Sequence, residues 1–329
     1  EASTNSYGDI RFFLQDFSNW QDIDSFYDGT AGFAYLPSYT DYDDALMGDI
    51  FIDSYYTPGD GYFEHLLTHE IGHAIGFSHP FDGLINIDLK NNESIMSYDS
   101  NYLIASQPMP ADIKASEFLY GGNANANSSD DTYSWNTDDD LIYRSSVIDK
   151  GGEDTFDFSE QVNGIYVNLN PDSWSSLNYP DNVYLPENEW FYEYGQIYIS
   201  ENSYIETVYG SDFNDIISDN ISDNTIYSGR GDDTLIFNEG NDIFDGGEGD
   251  DTLKINYFFS DIQSIEQSSE NFIIKFSDSQ VEVTNVENIR DNNLATKSIS
   301  ELYNEVNYVF ENDAPTLISS DTSTVEENS

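Results

Sequence analysis

Residues 69 to 79 read His69-Glu70-Ile71-Gly72-His73-Ala74-Ile75-Gly76-Phe77-Ser78-His79. On a helix, His69 and His73 lie one turn apart on the same face, where two imidazoles can bind one Zn²⁺ ion. Gly76 lets the chain leave the helix, so that His79 can return as a third nitrogen ligand. Three protein ligands leave an open coordination position, as catalytic zinc requires. The spacing therefore predicts a zinc site with Glu70 beside the metal but not bound to it.

The chemistry of such a site follows from its residue types. Glu70 can accept a proton from water next to the metal, and that water can attack a peptide carbonyl. The chain contains four histidines, and three of them fall on the motif positions, which argues against chance or simple helix packing. A site that binds metal without turnover is the alternative. The fourth histidine, His65, is expected to be a half-exposed helix residue and is assigned no role.

The segments around the motif predict a mixture of helices and strands. Apolar residues recur at spacings of three and four between residues 62 and 75, which marks one face of a helix. A second helix is predicted at residues 111–120, before Gly121-Gly122. Short apolar runs at residues 9–14, 32–36 and 48–52 predict strands.

Composition limits the classes of partner. The 329 residues include 63 Asp and Glu against 10 Lys and Arg, a formal net charge of -53. Such a surface repels nucleic acid and anionic membranes, so neither is an expected partner, and no stretch is long enough for membrane insertion. The charge also opposes folding unless divalent cations or salt neutralise it. Because the chain has no cysteine, oxygen and imidazole are the expected metal ligands.

Residues 210–254 form an internal repeat with a period of nine, GSDFNDIIS, DNISDNTIY, SGRGDDTLI, FNEGNDIFD and GGEGDDTLK. The sixth position is always Asp or Asn and the eighth is always apolar. This pattern predicts a calcium-binding parallel β-helix, with the eighth-position residues filling its interior. Calcium prefers six to eight oxygen ligands, and the predicted carboxylate ligands are Asp215, Asp233, Asp242 and Asp251.

Two features qualify the repeat. Asn224 is neutral and its repeat lacks glycine, so this coil is expected to bind calcium weakly or to act as a cap. A series of solvated turns without any ion is the alternative, but stacked acidic turns would repel one another without cations. Residues 256–290 alternate apolar and polar positions and predict antiparallel strands that cap the repeat stack.

A small, polar segment at residues 123–131 predicts a boundary between domains. The expected division is a catalytic domain at 1–122, a β domain at 123–295 with repeats at 210–254, and a last segment at 296–329. That last segment is interpreted as a linker followed by the start of a cadherin-like module, because residues 312–318 and 324–328 resemble the opening of one.

The eleven-residue motif resembles the signature of the metzincin zinc proteases. Residues 93–98, Glu-Ser-Ile-Met-Ser-Tyr, resemble the methionine-containing turn of that clan, which is called the Met turn below. The resemblance implies that Met96 lies beneath the metal. It also implies that Tyr98 is a further zinc ligand, able to swing and hydrogen-bond the oxyanion during catalysis.

The nonapeptide repeats resemble those of the serralysin branch, and the similarity continues at residues 110–121, 151–159 and 202–209. The resemblance implies an α+β metzincin-type zinc protease domain, with a mixed sheet and an active-site helix. An all-β parallel β-roll and β-sandwich domain is implied to follow. Family members carry a first strand and a long helix before the segment at which this chain starts, so the chain is expected to begin inside the catalytic domain.

The same resemblance implies a function. The expected protein is a secreted, extracellular bacterial endopeptidase with Zn²⁺ and Ca²⁺ as cofactors, exported by a type I secretion system. Proteins or peptides are the expected substrates, laid along an edge strand at residues 32–37, and a proteinaceous inhibitor is a further expected partner. The loop at residues 80–93 is expected to shape the specificity pocket.

Two other functions fit parts of the sequence. A calcium-dependent adhesion or surface protein would carry its function in the repeats and retain an inactive protease-like domain. An inactive domain would usually have lost Glu70 or a histidine, and this chain has lost neither. A glycan-binding extracellular module is suggested by the many Tyr and Trp residues, but aromatic residues also commonly pack strands.

Overall fold

The computed structural model describes residues 10–17, 31–37, 47–59, 61–82, 87–99, 103–123, 126–135, 143–177, 195–268 and 271–312, with side chains described as far as residue 307. Within these residues no helix has both the length and the apolar character needed to cross a membrane. The predicted cadherin-like segments lie outside the described residues, apart from the backbone of Asn312.

The N-terminal part contains a three-stranded mixed sheet formed by β1 (Arg11–Gln15), β2 (Gly32–Ala34) and β3 (Asp49–Asp53). The central strand β3 runs parallel to β1 and antiparallel to β2. One face packs on helix α1 (Gly61–Ala74), where buried Ile50 and Ile52 contact apolar residues of the helix. The strands and the helix predicted here are therefore present.

Helix α1 ends in a left-handed glycine turn. Gly76 has a φ of 104°, which a residue with a Cβ rarely adopts. Its N–H donates to the carbonyl of His73 at 2.9 Å, and the N–H of Phe77 donates to that of Gly72 at 2.8 Å. These two bonds form a Schellman motif. The turn reverses the chain and returns it towards the helix face that carries the histidines.

A second small sheet joins the two parts of the chain. Its order is β4–β6–β10–β9, and its strands are β4 (Ile104–Ala105), β6 (Tyr143–Val147), β9 (Ser173–Ser175) and β10 (Ile197–Ile199). Strand β4 precedes helix α2 (Pro110–Tyr120), whereas the other three strands come later in the chain.

The C-terminal half consists of two larger sheets that face each other. The first has the order β17–β18–β19–β15–β13–β11–β7–β5 and the second β21–β20–β16–β14–β12–β8. The first sheet contains β5 (Thr132–Ser134), β7 (Thr155–Asp157), β11 (Thr207–Tyr209), β13 (Thr225–Tyr227), β15 (Asn241–Asp245), β17 (Ser264–Ser268), β18 (Asn271–Lys275) and β19 (Gln280–Thr284). The second contains β8 (Tyr166–Asn168), β12 (Ile216–Ser218), β14 (Thr234–Phe237), β16 (Thr252–Ile255), β20 (Asn288–Arg290) and β21 (Thr296–Ser298).

The repeats build the parallel β-roll that their period predicts. Successive nonapeptides alternate between the two sheets, so each strand pairs in parallel with the strand two repeats later, as in Ile216↔Thr234 and Thr234↔Thr252. The eighth-position residues fill the interior and are all 0% exposed, namely Ile217, Ile226, Leu235, Phe244 and Leu253. Strands β17, β18 and β19 pair antiparallel with one another beyond the repeats, as predicted for the cap. The prediction is incomplete, because β19 also pairs in parallel with β15, and β20 pairs in parallel with β16, so both continue the sheets of the roll.

The region interpreted as a linker contains a helix. Helix α3 (Ile299–Asn312) follows β21, and Ile299 and Leu302 are buried in the core of the C-terminal half. Tyr303 and Val306 pack against the same core. These four residues follow the three-and-four spacing of an amphipathic helix, so the linker interpretation of this stretch overlooked a period that the sequence contains.

Candidate metal centres

Three histidine side chains converge at the C-terminal end of α1. The helix presents His69 and His73 on one face, and the glycine turn at Gly76 returns His79 to the same place. The Nε2 atom of His79 lies 3.2 Å from that of His69 and 3.1 Å from that of His73. The structure thus brings together all three histidines named from the sequence.

The outer nitrogen of each imidazole has an acceptor. The Nδ1 atoms of His69, His73 and His79 lie 2.9, 2.8 and 2.6 Å from Ile95 O, Phe77 O and Asp82 Oδ2, respectively. These oxygens are acceptors, so Nδ1 carries the proton and each Nε2 directs a lone pair inwards. Two nitrogens about 2.0–2.1 Å from one tetrahedral zinc would be about 3.3 Å apart. The donor set therefore fits zinc.

Burial keeps the imidazoles of His69 and His73 neutral. It lowers the pKa of His69 to about 3, outweighing the hydrogen bond to Ile95, which raises it. Burial also lowers the pKa of His73, and this effect is larger than that of the hydrogen bond to the Phe77 carbonyl, which raises the pKa. Neutral imidazoles are the form that binds a metal, so the site is ready for a cation at neutral pH.

Glu70 lies beside the histidines and is 5% exposed. Its Oε2 atom is buried and has no hydrogen-bond partner among the described residues. Burial raises the pKa of its carboxyl group to about 8. A Cβ at Gly32 of β2 would lie 3.2 Å from Glu70 Oε1, so the edge strand passes directly beside this carboxylate.

Tyr98 and Met96 both lie close to the segment that carries the histidines. The hydroxyl of Tyr98 lies 2.7 Å from His79 Nε2, although the residue as a whole is 64% exposed. Met96 is 2% exposed and lies against α1, where a Cβ at Gly72 would come within 2.4 Å of its sulfur. Glycine at position 72 therefore allows the Met turn to pack directly beneath the helix.

A buried carboxylate that the sequence analysis did not single out supports the Met turn. Asp112, near the start of α2, accepts hydrogen bonds from Ser94 Oγ at 2.7 Å, Ile95 N at 2.7 Å and Met109 N at 2.9 Å. Ile95 in turn offers its carbonyl to His69. An acidic residue in the first turn of the predicted second helix was the only signal for this role.

A cavity of about 390 Å³ opens beside His79. Its wall includes Phe77, His79 and Met96, together with Ile87 and Leu89 from the loop predicted to shape the specificity pocket. Residues 83–86 of that loop lie outside the described residues. The residues named here as lining the cavity are mostly apolar, which suits an apolar substrate side chain.

The four predicted calcium ligands are buried in the turns of the roll. Asp215, Asp233, Asp242 and Asp251 are at most 2% exposed. In Asp233, Asp242 and Asp251, one carboxylate oxygen accepts the backbone N–H of the residue 18 positions earlier in the chain. The donors are Asp215 N at 2.8 Å from Asp233, Asn224 N at 2.7 Å from Asp242 and Asp233 N at 2.8 Å from Asp251. The Oδ2 atoms of these three have no partner among the described residues.

Burial also raises the pKa of these four carboxyl groups, to about 6 for Asp215 and about 7 for Asp233, Asp242 and Asp251. Buried carboxylate oxygens without donors are costly unless a cation or a proton is present. The unpartnered oxygens of Asp233, Asp242 and Asp251 therefore fit calcium sites in the turns. Asp215 differs from them, because both of its carboxylate oxygens accept hydrogen bonds, from Ser211 and from the N–H of Ile165.

The coil with Asn224 is built differently. Asn224 Nδ2 donates to the carbonyl of Ile205 at 2.9 Å, and its Oδ1 accepts the N–H of Asn220 at 3.1 Å. The amide of Asn220 donates to the same carbonyl at 3.2 Å. Side-chain amides thus satisfy this turn without a cation, which supports the prediction of weak binding or a capping role.

The structure contains a second carboxylate cluster that was not predicted from the sequence. Single carboxylate oxygens of Asp131, Asp149 and Asp154 all lie within 4.8 Å of one another. Asp149 and Asp154 are each 1% exposed, and Asp154 Oδ2 has no partner among the described residues. Burial raises the pKa of Asp154 to about 6. This oxygen-only set, with the nearby carboxylate of Glu206 accepting Asp154 N at 2.9 Å, suits a hard cation such as calcium.

Replacing Asp154 by asparagine is expected to reduce the gain in thermal stability on addition of calcium by about 5–10 °C, because one site saturated at 100 times its Kd contributes about 2.7 kcal/mol. The melting temperature with and without calcium checks this. Asp278→Asn, at an exposed turn of the same half, is the matched control. An unchanged calcium response in Asp154→Asn would contradict the assignment.

Comparison with known sequences identifies relatives for the C-terminal half. The family described as "Peptidase M10 serralysin C terminal" matches residues 110–183. The family described as "RTX calcium-binding nonapeptide repeat (4 copies)" matches residues 202–235 and 238–253. The histidine motif at 69–79 lies before both matched regions.

Curated relatives carry protease names. "Metalloprotease AprA" of Pseudomonas entomophila is 33% identical over 229 residues, covering 57% of this chain and 44% of the relative. "Serralysin B" of Dickeya chrysanthemi is 34% identical over 188 residues, covering 48% and 36%. "Serralysin A" of the same organism is 35% identical over 176 residues, covering 45% and 37%. The chain thus spans less than half the length of these relatives. The repeat family supports Ca²⁺ as a cofactor, and the metalloprotease relatives imply Zn²⁺.

Proposed function

We propose, from the premise that this chain is serralysin-like, that it is a secreted zinc-dependent endopeptidase whose C-terminal half is stabilised by calcium. One observation carries the proposal. The Nε2 atom of His79 lies 3.2 Å from that of His69 and 3.1 Å from that of His73, next to the buried carboxyl group of Glu70, whose Oε2 has no partner among the described residues. This arrangement suits a metal with an adjacent general base.

The residues of the site have distinct roles in this proposal. His69, His73 and His79 hold zinc through Nε2, and Tyr98 contributes its hydroxyl. When bound, zinc polarises the scissile carbonyl and lowers the pKa of a neighbouring water molecule. Glu70 Oε2 accepts the proton of the attacking water and returns it to the leaving amine nitrogen. The Tyr98 hydroxyl donates a hydrogen bond to the substrate oxygen as negative charge develops on it.

The substrate is proposed to bind as an extended peptide along β2. Among the described strands, β2 pairs only with β3 and leaves its other edge open. An extended peptide can add to such an edge through backbone hydrogen bonds. Because Gly32 of β2 lies next to Glu70, a peptide on this edge would present its backbone to the histidines.

The wider setting is proposed from the same relatives. Residues 1–122 are assigned to a metzincin-type catalytic domain and residues 123–295 to the calcium-binding domain. Export through a bacterial type I secretion system fits a chain whose roll needs calcium and therefore folds outside the cell. Extracellular proteins or peptides are the proposed substrates, and a proteinaceous inhibitor is a proposed further partner.

Removal of zinc is expected to abolish hydrolysis of casein at saturating calcium, and stoichiometric zinc is expected to restore it, because the remaining residues cannot polarise the carbonyl by themselves. The assay compares protein treated with 1,10-phenanthroline, the same protein after zinc is added back, and untreated protein, with metal content measured on each. Circular dichroism controls for loss of fold.

The adhesion alternative makes the opposite prediction. A folded, zinc-loaded chain that cleaves neither casein nor gelatin would overturn the proposed function. Calcium-dependent binding to a surface by that inactive protein would then favour the adhesion module.

A further inference from the structure

His65 and Thr68 connect the zinc-site helix to strand β4. Both lie on α1 within one turn before His69. His65 Nδ1 donates to the carbonyl of Ala105 at 2.7 Å, and Thr68 Oγ1 donates to the carbonyl of Ser106 at 3.2 Å. His65, which received no role from the sequence, therefore makes a short hydrogen bond to a residue that is 0% exposed.

Strand β4 belongs to the small sheet whose other three strands, β6, β9 and β10, come from the later part of the chain. Ala105 pairs in parallel with Arg144 of β6. Both Ser106 N and Ser106 Oγ donate to the carbonyl of Arg144 at 2.9 Å. The two carbonyls that accept hydrogen bonds from α1 are thus held in place by β6, not by the N-terminal sheet.

The same strand also contacts the Met turn. Ala105 N donates to Asn91 Oδ1 at 2.5 Å, and Asn91 Nδ2 donates to the carbonyl of Ser97 at 3.2 Å. Through α1 and the Met turn, β4 therefore contacts both segments that surround the three histidines.

Strand β6 is firmly anchored and leads to the second carboxylate cluster. Arg144 is 2% exposed and donates to the carbonyls of Gly195 at 3.0 Å and Leu103 at 3.3 Å. Two residues after β6 ends, Asp149 joins Asp131 and Asp154. A continuous set of hydrogen-bonded elements thus runs from this cluster through β6 and β4 to α1.

We propose that His65 and Thr68 are positioning residues that hold α1 on β4, so that zinc affinity depends on calcium binding in the C-terminal half. The inference rests on the proposed function to the extent that the three histidines bind zinc. A metal site tolerates displacements of only about 0.5 Å in its ligands, and His69 is one turn from His65. Because linkage is reciprocal, zinc must strengthen calcium binding by the same factor.

The test measures the Kd for zinc by competition with a zinc-selective chromophoric chelator, at saturating calcium and in calcium-buffered low concentration. The variants are His65→Leu, which removes the donor, His65→Gln, which keeps one, and Thr68→Val, which removes the hydroxyl at similar volume. Glu64→Gln, at an exposed position of the same helix, is the matched control. Circular dichroism of each variant reports the fold.

The expected result is tighter zinc binding by the wild type when calcium is added. His65→Leu is expected to weaken zinc binding at saturating calcium about 10-fold and to lose most of the calcium response. His65→Gln and Glu64→Gln are expected to stay near the wild type, and Thr68→Val to show a smaller loss than His65→Leu. Should His65→Leu fail to fold, Thr68→Val alone still tests the contact with β4.

Three outcomes would overturn the inference. The first is that both His65→Leu and Thr68→Val bind zinc with wild-type affinity, and the second is that His65→Gln loses as much zinc affinity as His65→Leu. The third is that the zinc Kd of the wild type does not change when calcium is added. Each is distinct from failure of the proposed function, in which the wild type binds no zinc or binds it without cleaving protein.

Discussion

Replacement of Glu70 by glutamine is expected to lower kcat for peptide hydrolysis by about 10³-fold or more, while the zinc content stays that of the wild type. General-base catalysis contributes about 10²–10⁴-fold, and the amide of glutamine cannot accept the proton. Glu70 makes no hydrogen bond through Oε2 that would hold the fold together. The loss is therefore expected in the chemical step, not in stability or metal binding.

The measurement is kcat and KM on a fluorogenic peptide, with zinc determined by mass spectrometry on the same samples. Glu64→Gln provides the matched control, because it makes the same chemical change at an exposed position of α1. If Glu70→Gln retained more than about a tenth of wild-type kcat with zinc bound, Glu70 would not be the general base. If it lost zinc as well, its role would be in holding the site.

Removal of calcium with a chelator is expected to unfold the roll at low ionic strength. Asp233, Asp242 and Asp251 each present a buried oxygen without a donor, and the whole chain carries a formal charge of -53. Three sites at 100 times their Kd would together contribute about 8 kcal/mol. That equals much of the 5–15 kcal/mol that typically stabilises a domain.

Far-UV circular dichroism during a calcium titration measures this transition. Asp233→Asn is expected to raise the calcium midpoint, whereas Asp232→Asn, at the adjacent exposed position, is expected to leave it nearly unchanged. Magnesium at the same concentration is expected to restore little structure, because it demands a smaller octahedral site. A roll that keeps its strands in chelator would contradict the assignment of these carboxylates to calcium.

The sequence predicted those features that repeat locally or depend on short spacings. The histidines at positions 69, 73 and 79 are close in the chain, and the helix and its glycine turn are enough to predict that they converge. The roll could be predicted equally well, because its period of nine places every eighth-position residue inside. Local geometry determines both features.

Features built from distant segments could not be predicted in this way. Asp149 and Asp154 lie in the connection between β6 and β7, whereas Asp131 precedes β5, and only the folded sheets place the three together. Asp112 meets the Met turn from the next helix, and His65 meets a strand 40 residues away. Nothing in the spacing of these residues indicates their partners. Helix α3 is different, since its apolar period was visible and was passed over.

The turn closed by Asn220 and Asn224 has a consequence for the order in which the roll assembles. Its amides supply donors from within the chain, so this coil can form before any ion arrives. The carboxylate turns at Asp233 and Asp251 must wait for calcium to offset their mutual repulsion. The neutral coil would then offer a formed edge on which the next coil of the same sheet pairs. We therefore expect this coil to be the part of the roll that depends least on calcium.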